Sequence, residues 1–168
     1  ALSTTSSSNT AVGRAALGAN TTGTSNVAVG KGALTGNTTA GYSVAVGRDA
    51  LALNSTGTQN TAVGDVALYA NTTGGYNTAC GRLALYSNTT ASYNTALGMQ
   101  ALQTNTTGNG NTGVGFDALN DNTTGQYNCA LGQNSLGKST TSNFNTALGY
   151  ASMHTNTTGT QNTGVGAY

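Results

Sequence analysis

The side chains able to do acid–base, nucleophilic or metal chemistry are few enough to take one at a time. His154 is the single histidine, Cys80 and Cys129 are the two cysteines, and the carboxylates are Asp49, Asp65, Asp117 and Asp121. A zinc site needs several nitrogen and sulfur ligands converging on one point. A Cys/His nucleophile pair needs hydrogen-bond reach between the two. Neither grouping can be drawn from residues so scattered, and the four aspartates do not recur at the short Gly-rich spacing of calcium-binding coils. The residues predict no enzyme, no metal and no cofactor.

The chemistry of the chain therefore lies in what repeats. Residues 60–76 read NTAVGDVALYANTTGGY and residues 77–93 read NTACGRLALYSNTTASY. Aligned on the motif glycine (Gly13, Gly30, Gly47, Gly64, Gly81, Gly98, Gly115, Gly132, Gly149, Gly166), the chain shows ten copies with a period of 17 and no insertion or deletion. Fixed short periods mark solenoids. We number the repeat c1 to c17 from the first Asn of NTAVG. Residues 1–8 continue the register backwards, with Ser3, Thr4 and Thr5 where other copies carry Asn-Thr-Thr, so they read as a degenerate partial copy. Both ends fall inside a repeat, so residues 1–168 are expected to form one array within a longer protein.

Composition supports order. The chain has 25 Gly, no Pro, 5% charged residues and a net charge of +1, whereas disordered chains are rich in charge and proline. Five basic residues that form no run give no electrostatic footprint for nucleic acid. No apolar stretch is long enough for a membrane helix, so no membrane insertion of this segment is expected.

The apolar columns are c3 and c8, almost all Ala; c4, with Val12, Val29, Val46 and Val63 in the first four copies; and c9, beginning Leu17, Leu34, Leu51 and Leu68. Together they predict the interior. Frequent Val and Thr, with a Gly in each copy such as Gly64 and Gly81, favour strand over helix. Seventeen residues leave room for two short strands with corners at the c5 Gly and the small c15 residue. Coils at the ordinary strand separation would build a rod on the order of 50 Å long. The Asn-Thr-Thr at c12 to c14 predicts side-chain ladders, with Asn71, Asn88 and Asn105 each bonded to its copy one coil away. The same Asn-x-Thr triplets are glycan acceptor sequences, which an interior ladder would block.

Neighbouring strand residues point to opposite faces, so Ala at c3 and Val at c4 cannot both face inward, nor can c8 and c9 if they lie in a strand. A lone coil would then expose an apolar stripe. A homo-oligomer, most simply three-fold about the long axis, would cover it.

At this point the units NVAVGKGAL (residues 26–34) and SVAVGRDAL (residues 43–51) resemble the head repeats of YadA-like trimeric autotransporter adhesins. The NTAVG, AL, NTTG pattern is also similar to repeat arrays of phage tail-fibre proteins. The resemblance implies an all-β, left-handed parallel β-solenoid, or β-roll, with three chains per molecule. It also implies a fibre on a bacterial surface or a virion tail that attaches to a host saccharide or protein. The coil is about three residues longer than the usual head repeat.

Aromatic residues recur at c17 (Tyr42, Tyr76, Tyr93, Tyr127, Phe144) and at c10 (Tyr69, Tyr86), giving candidate surface-binding rows. All nine charges fall at c6, c7 or c11, marking a solvent face. Cys80 and Cys129 lie about three coils apart, roughly 14 Å, too far for a disulfide. Alternative readings are an ice-binding solenoid that uses the Thr ladders, and a subunit that polymerises end to end into a filament.

Overall fold

The computed structural model describes residues 7–168. Residues 1–6, which include Ser3, Thr4 and Thr5 of the expected partial copy, lie outside the described residues. Among the described residues ten strands of three residues each occupy c2 to c4: β1 (Thr10–Val12), β2 (Val27–Val29), β3 (Val44–Val46), β4 (Thr61–Val63), β5 (Thr78–Cys80), β6 (Thr95–Leu97), β7 (Thr112–Val114), β8 (Cys129–Leu131), β9 (Thr146–Leu148) and β10 (Thr163–Val165). They form one parallel sheet in sequence order. Register advances by one repeat per strand, as in Ala62↔Ala79 and Ala79↔Ala96. The chain is a parallel β-solenoid with a 17-residue coil.

Each coil has one strand where the repeat length left room for two. The rest of the coil turns, yet it remains bonded to its neighbours. Positive φ recurs at c7, c9 and c17, as at Asp49 (52°), Leu51 (52°) and Tyr42 (59°). There the backbone amides reach the adjacent coil: Asp49 N–H donates to Lys31 O at 2.8 Å, Leu51 N–H to Ala67 O at 3.0 Å, and Tyr42 N–H to Thr24 O at 3.0 Å. Left-handed conformation costs an L-residue roughly 1–2 kcal/mol. The axial hydrogen bonds and burial offset that cost.

The c5 glycine answers two demands at once. Gly64 has φ +139°, and a Cβ built there would lie 2.7 Å from the carbonyl carbon and oxygen of Gly81 in the next coil. Neither the torsion nor the approach tolerates a side chain.

The interior differs from the four apolar columns expected of it. From the second coil onward alanine at c3 is buried, as are alanine at c8 and leucine at c9, where Leu34, Leu51, Leu68, Leu85, Leu102, Leu119 and Leu136 are fully enclosed, whereas Ala11 in the first coil is exposed. Val12, Val29, Val46 and Val63 at c4 are not part of it: strand alternation turns them outward as c3 turns inward. At c8 and c9 the expected alternation fails. Those residues lie in a turn, and positive φ at c9 aims the leucine inward beside its alanine. The leucines therefore pack privately within one chain.

Two asparagine ladders complete the interior. The predicted one, at c12, runs from Asn37 to Asn122, each Nδ2 donating to the Oδ1 one coil back, for example Asn71 to Asn54 at 2.8 Å and Asn88 to Asn71 at 2.9 Å. The c1 asparagines form a second. Their Oδ1 accepts the backbone N–H of c1 in the following coil, as from Asn77 to Asn60 at 2.9 Å. Both ladders converge within a coil, where Gly74 O accepts from Asn60 Nδ2 and from Asn71 Nδ2, each at 2.8 Å. That convergence crowds c15: a Cβ on Gly74 would meet the Ala91 carbonyl and lie 2.6 Å from Asn71 Oδ1. Only Gly, Ala or Ser stands there.

Candidate recognition surfaces

With the leucines and asparagines inside, the surface divides into columns of distinct chemistry. Among the described residues sixteen large hydrophobic side chains are exposed, and fourteen of them sit at c17, c4 or c6. The c4 members Val63, Leu97, Leu131 and Leu148 expose 37, 38, 46 and 43% of their surface. They stand on the outer face of the sheet, one per coil, with Cys80 among them. At c6 the character changes along the rod. The first five copies carry Arg14, Lys31, Arg48, Asp65 and Arg82, whereas Met99, Phe116 and Tyr150 follow.

The c17 aromatics Tyr42, Tyr76, Tyr93, Tyr127 and Phe144 all project outward. Tyr76 and Tyr93 stack at 5.0 Å between centroids, and Tyr127 and Phe144 at 5.3 Å. Tyr69 and Tyr86 at c10 stack at 5.3 Å and are half-buried. Because rings one coil apart lie face to face along the rod, each pair turns its edges outward and keeps one face of each ring covered. Such a row offers edges and hydroxyls for contact more than open π-faces. Gln59 and Gly110 interrupt it.

Threonine fills two adjacent columns with different roles. At c13 the hydroxyl donates to the carbonyl of c13 in the next coil, as Thr72 does to Thr89 O and Thr89 to Thr106 O. At c14, from Thr22 to Thr158, the residues are exposed in every copy. The accessible threonine array is thus one residue wide. Beside it the c12 asparagines from Asn37 to Asn122, Asn71, Asn88 and Asn105 among them, are fully buried, whereas Asn156 is half-buried. The acceptor triplets of the buried ones are closed to a glycosylating enzyme.

Charged side chains pair locally. Arg48 Nε lies 2.8 Å from Asp65 and its Nη1 lies 3.5 Å from Asp49; Arg82 reaches Asp65 at 3.8 Å, and Lys138 bonds Asp121 at 3.0 Å. The Asp65 bond holds the Arg48 pKa above its ordinary value. Exposed pairs of this kind are screened by solvent and contribute little to stability. Cys80 and Cys129 are free thiols on the outer sheet face. Among the described residues no cluster of three or more His, Cys or Asp side chains could hold a metal ion. Among the described residues no helix is long and apolar enough to cross a membrane.

One polar cavity, of about 70 Å³, opens between Asp117, Asn120, Asn134 and His154. Spacing along the sequence gave no sign of it, because these residues come from three copies and meet only when the coils stack.

The class this architecture defines is the parallel β-solenoid repeat protein. No family model matches the chain, and neither a curated protein nor a solved structure is detectably similar to it.

Proposed function

We propose that this solenoid is a structural and recognition segment of a homotrimeric fibre, of the kind the resemblance to YadA-like head repeats and phage tail-fibre arrays implies. It would act outside the cell, on a bacterial surface or a virion, in attachment to a host. One observation carries the reading: nearly all exposed large hydrophobic side chains fall within the arc from c17 to c6. Soluble monomers rarely leave contiguous apolar patches of several hundred Å² uncovered. The whole arc, which also carries the charged c6 residues of the first five copies, measures up to about 20 Å across and roughly 45 Å along the rod, or about 900 Å². A standard protein interface takes about 800 Å² per partner. Three copies whose c4 columns face a common axis would cover the valines and leucines that a single chain leaves outside. The polar columns c10, c11, c14 and c16 would remain free to meet a receptor. Repeated weak contacts along the rod would then add up through avidity.

The test is the solution mass. Light scattering should give three times the 16.5 kDa of the chain. A double substitution, Val63→Lys with Leu97→Lys, should return the mass of one chain with an unchanged circular dichroism spectrum. A wild-type chain that is monodisperse at 16.5 kDa would overturn the assembly.

A further inference from the structure

We propose that the polar cavity over the seventh to ninth coils binds an amino sugar, with Asp117 as the counter-ion to its ammonium group. The proposal rests on the recognition half of the function given above and names a ligand class for it.

Gly137 shapes one wall of the cavity. The c10 column there reads Asn120, Gly137, His154, and the glycine lets the His154 ring lie close over it. His154 closes one side: its Nδ1 lies 3.1 Å from Asn134 O, and a Cβ on Gly137 would be 2.8 Å from that nitrogen. The cavity of about 70 Å³ has room for several water-sized groups. An ammonium and a neighbouring hydroxyl can enter while the rest of a sugar ring sits at the mouth.

Charge sets the ligand's sign. Asp49, Asp65 and Asp121 each have a basic partner within 4 Å. Among the described residues Asp117 has none. Its Oδ1 accepts from Asn120 Nδ2 at 3.0 Å, and Lys138, the cation at the cavity wall, is bonded to Asp121. Partial burial raises the Asp117 pKa, and the Asp121 charge adds to this, while the Asn120 bond and the Lys138 charge pull it down. A carboxylate left uncompensated beside a cavity is a site that a bound cation relieves.

The lining sets the rest of the ligand. Asn120, Asn134, Lys138 and His154 supply donors and acceptors suited to hydroxyls, whereas no Ala, Val, Leu, Met, Phe or Tyr lines the cavity. An alkylammonium or a lysine stem would bury its methylenes against polar groups. A polyhydroxylated ring carrying a free amine satisfies both the charge and the lining.

Asp117→Asn isolates the charge without disturbing the fold. Asp117 has φ 54°, a conformation Asn adopts readily, and Asn134 already occupies the same column one coil on. An amide oxygen can still accept from Asn120. A raised folded-state pKa means that stability falls as pH rises through the carboxyl range. D117N should therefore melt at or above the wild-type temperature at pH 7, and the difference should vanish below the unfolded carboxyl pKa.

The experiment is a titration of the ¹⁵N-labelled chain at pH 7 with glucosamine, N-acetylglucosamine and n-butylamine. Glucosamine should shift the amides of Asp117, Asn120, Asn134, Gly137 and His154 with millimolar affinity, while D117N, N-acetylglucosamine and butylamine each weaken binding about tenfold or more. No shift at roughly 100 mM glucosamine, or equal binding by D117N or by N-acetylglucosamine, overturns the proposal. Equal binding by butylamine overturns the sugar assignment. Light scattering on the same sample separates the two readings: a trimer that ignores glucosamine loses only this site, and a monomer that binds it loses only the fibre assembly.

Discussion

Ser139 interrupts the c12 asparagine ladder, and the consequences are confined to its neighbours. Asn122 is fully buried and its Oδ1 has no hydrogen-bond partner, because the residue that should donate to it is a serine. The Ser139 hydroxyl is too short to bridge to the next coil and instead contacts the hydroxyl of Ser142. In the next coil Asn156 is cut off too, and its Oδ1 accepts from Gly159 N–H at 3.0 Å. A buried acceptor left unpaired costs about 1–3 kcal/mol. The double substitution Ser139→Asn with Ser142→Ala recreates the arrangement at Asn88, whose Nδ2 bonds Asn71 Oδ1 and the carbonyl of Ala91. It should raise stability by about 1–3 kcal/mol, read from the urea midpoint at unchanged slope. A midpoint at or below wild type would mean that the serines are better satisfied than the geometry indicates.

At the scale of the coil, stability turns on three left-handed positions. The c7 column holds Gly32, Asp49, Val66, Leu83, Gln100, Asp117, Asn134 and Ala151, all at positive φ. A β-branched residue is the poorest occupant of that region, and Asn among the best. Val66, at φ 50° and half-buried, therefore carries strain that its neighbours at Asn134 and Gly32 do not. Val66→Asn should stabilise the chain by about 1 kcal/mol, measured by urea unfolding. A loss of stability would show that Val66 contributes packing beyond its torsional cost. The same three positions explain where reading the sequence stopped. The period, the c5 glycine, the inward c3 alanine and the c12 ladder were all legible, because each depends on residue type at a fixed spacing. The inward leucine and the single strand were not. Leu and Tyr have no propensity for positive φ, so nothing in their identity marks c9 or c17 as turns; only the axial amide bonds of the stacked coils hold them there. The second asparagine ladder had its signal in plain view, since c1 is Asn in nine of ten copies. The cavity at Gly137 had none, because c10 is a variable column in which no residue type recurs through the array.

For the whole rod, each coil touches only the coils before and after it, since the sheet pairs strands strictly in sequence order. Stability in such an array is a sum of coil terms and nearest-neighbour interfaces. Length is then adjustable in units of the period and in no other unit. Deleting residues 94–110 removes one whole coil and joins Tyr93 to Asn111 with c17 still followed by c1. The β5 strand would then pair with β7, Asn122 would bond Asn88 across the closed gap, and Tyr93 would meet Tyr127, joining two stacked pairs that Gly110 now separates. Deleting residues 95–110 removes sixteen residues and shifts every later column by one. Asp121 and Lys138 would then stand where the c12 asparagines belong, Tyr127 and Phe144 where the c1 asparagines belong, and Val114 at the c5 glycine corner, because a one-residue slip exchanges inner and outer positions. The seventeen-residue deletion should keep the wild-type circular dichroism spectrum and unfold cooperatively at a modestly lower urea midpoint. The sixteen-residue deletion should lose cooperative unfolding of the later coils. Equal behaviour of the two would mean that the columns are not what holds the rod together, because a chain indifferent to register cannot owe its fold to ladders that repeat every seventeenth residue.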